Sequence, residues 1–134
     1  MSIESFDPKA VNAAPESLTS DTFARLLTAA ADSSPDFGLS QLERERFAGL
    51  GQHSAAAWAE AVAGLDGDDI ERLVRFFTLA GESISGWQWG SNSPVIALVR
   101  VLKGRDAYPG ELTAWIKANT TNRFLPHGSL MDRL

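Results

Sequence analysis

Apolar residues recur at helical spacing along most of this chain. The best pattern runs from Ile70 through Leu73, Val74, Phe77 and Ala80 to Ile84, at i, i+3, i+4 and i+7. It predicts an amphipathic helix over about 68–83, with Glu71, Arg72 and Arg75 off the stripe. Phe76 is also off it and implies a second contact or an exposed ring. The next apolar run, Val95, Ile96, Leu98, Val99, Val101 and Leu102, is apolar nearly all round, which predicts the most buried helix of the fold. Ser93-Pro94 gives it a start, because Ser accepts from free backbone N–H groups and Pro fits the first helical position. Gly104 stands where a left-handed C-terminal cap is expected.

Four further segments follow the same logic. Ser20 opens a first helix over about 21–31, facing inward through Phe23, Leu26, Leu27 and Ala30. Ser40 and Glu43 form an S-x-x-E capping box for a second, which Gly49-Leu50-Gly51 interrupts. An Ala-rich third, about 52–63, carries Trp58 and Val62 as its large contacts. Tyr108-Pro109-Gly110 leads into a sixth, about 110–119, with Leu112, Trp115 and Ile116 inward. Ser129 with Asp132 reads as the cap of a last short turn. No segment alternates with strand period. The expected fold is all-α: a compact bundle of about six short helices, or a set of stacked helical pairs. Residues 1–17 lack periodicity and read as an N-terminal arm, leaving 18–134 as a single helical domain.

Composition narrows the chemistry. The chain has 134 residues, enough for one domain with its own core, and it has no cysteine, which removes thiolate metal sites, disulfides and Cys nucleophiles. The first residues carry acids and no apolar run, unlike a secretory signal, and no stretch is apolar enough for a membrane span. The expected location is therefore cytoplasmic. Net charge is −5, with 14 acids and 6 bases over residues 1–99 and 3 acids and 6 bases over residues 100–134. An acidic body argues against a dedicated nucleic-acid binder, and the basic C-terminal third keeps that reading as an alternative.

Standard catalytic and phosphate-loop motifs are absent, so the sequence leans away from an enzyme. No cofactor is implied. His53 and His127 lack ligand-like neighbours, and Asp66, Asp68 and Asp69 are explained by a helix start better than by a calcium loop, so no metal is expected. Two stretches remain as binding candidates. In the first, Trp87 and Trp89 flank Gln88, ahead of Ser91, Asn92 and Ser93. In an extended loop the two indoles point the same way and either fill one pocket or line one groove. The second stretch offers Lys117, Asn119, Thr120, Asn122, Arg123 and His127 as directed polar groups. Each has a structural alternative: the indoles as core anchors with Ser93 as a cap, the Asn and Thr side chains as turn formers. The short linker 104–109 predicts antiparallel fifth and sixth helices, which would bring the two stretches together. The leading functional expectation is a non-catalytic domain that binds a protein or peptide there. The alternatives are an anionic small molecule at the start of the fifth helix, with Arg100, Arg123 or Lys117 as charge partner, and nucleic acid on the basic third.

Overall fold

The computed structural model describes residues 16–128. They form six α-helices: α1 Ser20–Ala30, α2 Gln41–Phe47, α3 Ala55–Ala61, α4 Gly67–Ser83, α5 Pro94–Gly104 and α6 Leu112–Ala118. Short 3-10 turns span Ala48–Gln52 and Gly90–Asn92, and no strand occurs among the described residues. The last turn expected at Ser129 lies outside the described residues. So does the N-terminal arm, except for Glu16 and Ser17. The Glu16 carboxylate accepts from Arg46 at 2.7 Å, and the Ser17 carbonyl accepts from the Thr22 hydroxyl at 2.7 Å. No helix of the described residues is long and apolar enough to cross a membrane.

Local signals decide where the helices start. The α2 capping box closes in both directions: Ser40 Oγ accepts from the Glu43 N–H, and Glu43 accepts from the Ser40 N–H. Asp66 accepts from the Asp69 N–H and caps α4, so this acidic cluster begins a helix. Three boundaries differ from expectation. Thr19 rather than Ser20 caps α1. Ser54 caps α3, so Gln52 and His53 precede that helix. Gly104 is the last residue inside α5, and the left-handed residue is Asp106, at φ 56°. The Arg105 side chain explains the extension. It donates to the carbonyls of Leu65 at 2.6 Å and Val62 at 3.0 Å, which draws the end of α5 against the α3–α4 turn.

α5 buries Pro94, Val95, Ile96, Ala97, Leu98, Val99 and Leu102 out of 11 residues. α4, with 17 residues, is the longest helix among the described residues. The closest helix approaches are α4 with α5, α3 with α5, and α1 with α4. Phe76 proves to be a second buried contact of α4, edge-on to Phe37 at 5.1 Å and to Trp87 at 5.9 Å. Trp58 packs on Phe23 and Phe77, and its buried Nε1 has no hydrogen-bond partner among the described residues. α6 makes no comparably close backbone approach to α5, so the expected antiparallel α5–α6 pair does not form. Instead α6 and the loop after it are tied to α4 through side chains. The Arg75 guanidinium lies 4.8 Å from the Trp115 ring centre, and one helical stretch further on Glu82 meets Thr120 and Thr121.

Across α1 and α2, Arg25 holds Glu43 through two hydrogen bonds of 2.6 and 3.0 Å and also donates to the Gly38 carbonyl. Arg25 first, and then the Ser40 N–H, pull the Glu43 carboxyl down to about 2.

Two expectations follow. Leu98 is fully buried, so Leu98→Ala should lower unfolding free energy by about 2–5 kcal/mol in urea denaturation followed by circular dichroism, whereas truncating exposed Leu42 should cost far less. Because the folded pKa of Glu43 is depressed, its contribution is present above the ordinary carboxylate range and fades as pH falls toward about 2. A Glu43→Gln protein should therefore lose more stability relative to wild type at neutral pH than at the acid end of the same series of melts.

Candidate functional site

α4 ends in a tight turn that sets the aromatic loop. Gly86 takes φ +90°, a left-handed conformation that favours glycine. Gln88 then folds back over the helix end. Its Nε2 donates to the carbonyls of Gly81 and Ile84, each at 2.8 Å, while its Oε1 accepts from the Gly86 N–H. These bonds satisfy carbonyls that a helix C-terminus otherwise leaves open. With Gln88 fixed, Trp87 and Trp89 lie on the same side, ring centres 5.3 Å apart and planes inclined by 32°. Each indole N–H donates to a backbone carbonyl across the fold at 2.8 Å, Trp87 to Arg44 and Trp89 to Ala48. Trp87 is fully buried and Trp89 half-buried. Gly51 makes the position of Trp89 possible, since a Cβ there would overlap the indole Cδ1.

The C-terminal loop reaches the same place by two ties. Glu82, in the last turn of α4, accepts from the Thr120 hydroxyl, the Thr121 N–H and the Thr121 hydroxyl, each at 3.0 Å. Asn122 Nδ2 donates to the Gly90 carbonyl at 3.0 Å, and its Oδ1 accepts from the Phe124 N–H. Partial burial alone would push the Glu82 carboxyl up, but the donors from Thr121 and Thr120 outweigh it and hold its pKa below the ordinary value.

Between α4 and the two loops lies an open cleft of about 380 Å³. Phe77, Trp87, Trp89, Phe124 and Leu125 supply its apolar walls; Glu82, Thr120, Thr121, Asn122 and Arg123 supply polar groups. Of the residues singled out from sequence, Trp87, Trp89, Ser93, Thr120, Asn122 and Arg123 line it. The others do not. Ser91 and Asn92 are exposed on the 3-10 turn before α5. Lys117 stays on α6 outside the lining. The Asn119 amide donates to the Trp115 carbonyl, and His127 sits 2.6 Å from Lys103 Nζ. The tie between the loops comes from Asn122, whose partner is a backbone carbonyl rather than Asn92. Arg100 is exposed and outside the cleft.

Sequence reasoning passed over Phe77, Glu82, Gln88 and Thr121. Glu82 had a signal: an acid in the last turn of a helix with no base there opposes the helix dipole and needs a compensating donor. Gln88 had none, since its partners are carbonyls that any sequence possesses.

The start of α5 offers little to an anion. Ser93 Oγ takes the Val95 N–H, the Ser93 carbonyl takes the Ile96 N–H, and Pro94 has none to give. No group of three His, Cys, Asp or Glu side chains is placed to hold a metal among the described residues. The cleft lining contains no histidine, and its one carboxylate already accepts from two threonines. The arrangement suits binding: aromatic walls, polar ends turned into the fold, and a polar rim. No protein-family model, curated protein or solved structure matches this chain.

Two measurements test this geometry. Gly51→Ala should displace Trp89, lowering the melting temperature and shifting tryptophan emission to longer wavelength; unchanged emission and melting would show that the indole does not depend on Gly51. Replacing Thr121 by Val removes one hydroxyl donor and should raise the Glu82 pKa toward the ordinary carboxylate value, read from the side-chain carboxyl carbon in an NMR titration. Since the folded pKa is depressed, the stability that this clasp contributes should fade as pH falls through it in wild type, and do so at higher pH in the variant.

Proposed function

We propose that this protein is a non-catalytic helical interaction domain that holds a peptide segment of a protein partner in the cleft between α4, the aromatic loop and the C-terminal loop. The observation that carries this reading is the orientation of the two indoles. Their N–H groups are committed to Arg44 and Ala48, and Trp87 is fully buried, so what the cleft is offered is the apolar ring surface of half-buried Trp89, with Trp87 packed against it. Concave apolar surface with a few fixed polar groups is the usual character of a binding site. The cleft volume of about 380 Å³ is at the small end of ligand pockets, the scale of one or two large side chains.

The nucleic-acid reading is supported less well. Arg105 bonds backbone carbonyls, and Lys103 lies against His127 and the Tyr108 ring, so part of the basic third serves the fold itself. A small anion at the α5 start lacks open N–H groups, as described above.

Gly81 gives a direct test. It lines the cleft within α4, and a Cβ there would make only ordinary contact, at 3.5 Å from the Trp87 carbonyl. Gly81→Ala should therefore fold and gain stability, by up to about 1 kcal/mol from helix propensity. Gly81→Leu grows a larger side chain from the same wall and should abolish capture of the partner from native lysate, with melting temperature retained. Leu42→Ala, on an exposed face, should leave capture intact. Equal capture by Gly81→Leu and wild type would overturn the reading.

A further inference from the structure

We infer that the cleft takes an acidic–apolar peptide, in which a bulky apolar side chain enters between the aromatic walls and an adjacent carboxylate meets Arg123. This inference rests on the peptide-binding reading above and specifies its partner.

The argument comes from which polar groups of the lining already have partners. Glu82 stays ionised, but it accepts three hydrogen bonds from Thr120 and Thr121, so its acceptor capacity is engaged within the fold. The Gln88 amide is committed to Gly81, Ile84 and Gly86. The Asn122 amide is committed to Gly90 and Phe124, and the Thr78 hydroxyl donates to the Val74 carbonyl. Arg123 is the exception. It is exposed, it lines the cleft, and its guanidinium has no hydrogen bond or ion pair among the described residues. A guanidinium presents a planar fork of donors that matches a carboxylate with two parallel hydrogen bonds. Asn122 fixes the backbone just before it, through Gly90 on one side and the Phe124 N–H on the other, so the fork is carried by an anchored segment. Phe124, the next residue, is part of the apolar wall. Cation and apolar surface are therefore adjacent in the chain, and their complement is an apolar residue next to an acidic one.

The charge of the rest of the chain sets the range of this effect. Net charge is −5, so long-range steering of an acidic partner is absent and recognition must come from the short-range contact. The test is accordingly a swap of charges at the contact.

Three capped hexapeptides, differing only in a central Phe-Asp, Phe-Asn or Phe-Lys pair, are titrated into the 15N-labelled full chain. The indole N–H resonances of Trp87 and Trp89 and the Arg123 Nε–H resonance are followed. Phe-Asp should perturb all three and bind about three- to tenfold more tightly than Phe-Asn, with Phe-Lys weakest. Arg123→Ala should flatten the series while retaining the melting temperature, and Arg123→Glu should reverse it in favour of Phe-Lys. Equal affinities for Phe-Asp and Phe-Asn, or an unchanged preference in Arg123→Ala, would overturn the acidic partner and leave the peptide-binding cleft standing. Absence of any shift at Trp87 and Trp89 with all three peptides would overturn the cleft reading itself. Sodium phenylacetate is the remaining probe. Binding as tight as that of the Phe-Asp peptide would identify a free small carboxylate as the occupant and overturn the peptide.

Discussion

The two indoles of the aromatic loop hold distant parts of the fold in one place. Trp87 and Trp89 follow directly from α4, yet their N–H groups bond carbonyls at Arg44 and Ala48, around forty residues earlier in the chain. A buried indole N–H without a partner is costly, so these bonds fix the end of α2 and the 3-10 turn relative to α4. The rings continue inward through Phe77 to Trp58 and through Phe76 to Phe37, linking α1, α3 and α4 in one aromatic cluster. Gly51 is the steric condition for this arrangement, because any side chain there would occupy the space of Trp89.

The cleft is a consequence of the same hook. With the indoles fixed, the loop after α6 has to be carried to them, and direct α5–α6 packing does not do it. α4 provides the support instead. Arg75 lies over Trp115, and Glu82 collects three donors from Thr120 and Thr121, so α6 and its loop follow α4 toward the aromatic turn. Asn122 closes the last gap to Gly90. What remains between these ties is the concavity, walled by rings whose polar ends face away. Partner recognition on this surface would draw on ring area for affinity and on Arg123 for selectivity. Apolar burial is non-directional, whereas a guanidinium–carboxylate contact depends on orientation.

How much of this was legible beforehand depends on the distance over which each interaction acts. The helices were readable because their determinants are local. The stripe from Ile70 to Ala80, the Ser40–Glu43 box and the Ser93-Pro94 start each involve residues within a few positions of one another, and the helices form there. Two starts shifted by a local choice of cap, to Thr19 and Ser54, and one end shifted where a distant group intervened. Arg105 carries α5 through Gly104 because Val62 and Leu65 offer it carbonyls.

For the cleft, the sequence determined that Trp87 and Trp89 would share a side, because alternate residues of an extended segment do so, and that Arg123 would stand in a polar loop beside apolar Phe124. Tertiary structure alone decided that the indole N–H groups turn inward and that Glu82 is the support of the C-terminal loop. It also separated Asn122 and Arg123, which line the cleft, from Ser91, Asn92, Lys117, Asn119 and His127, which do not. The physical reason is that most of these bonds run to backbone carbonyls or across more than thirty residues. A carbonyl carries no sequence signature, and a long-range partner is chosen only when packing closes the chain around it.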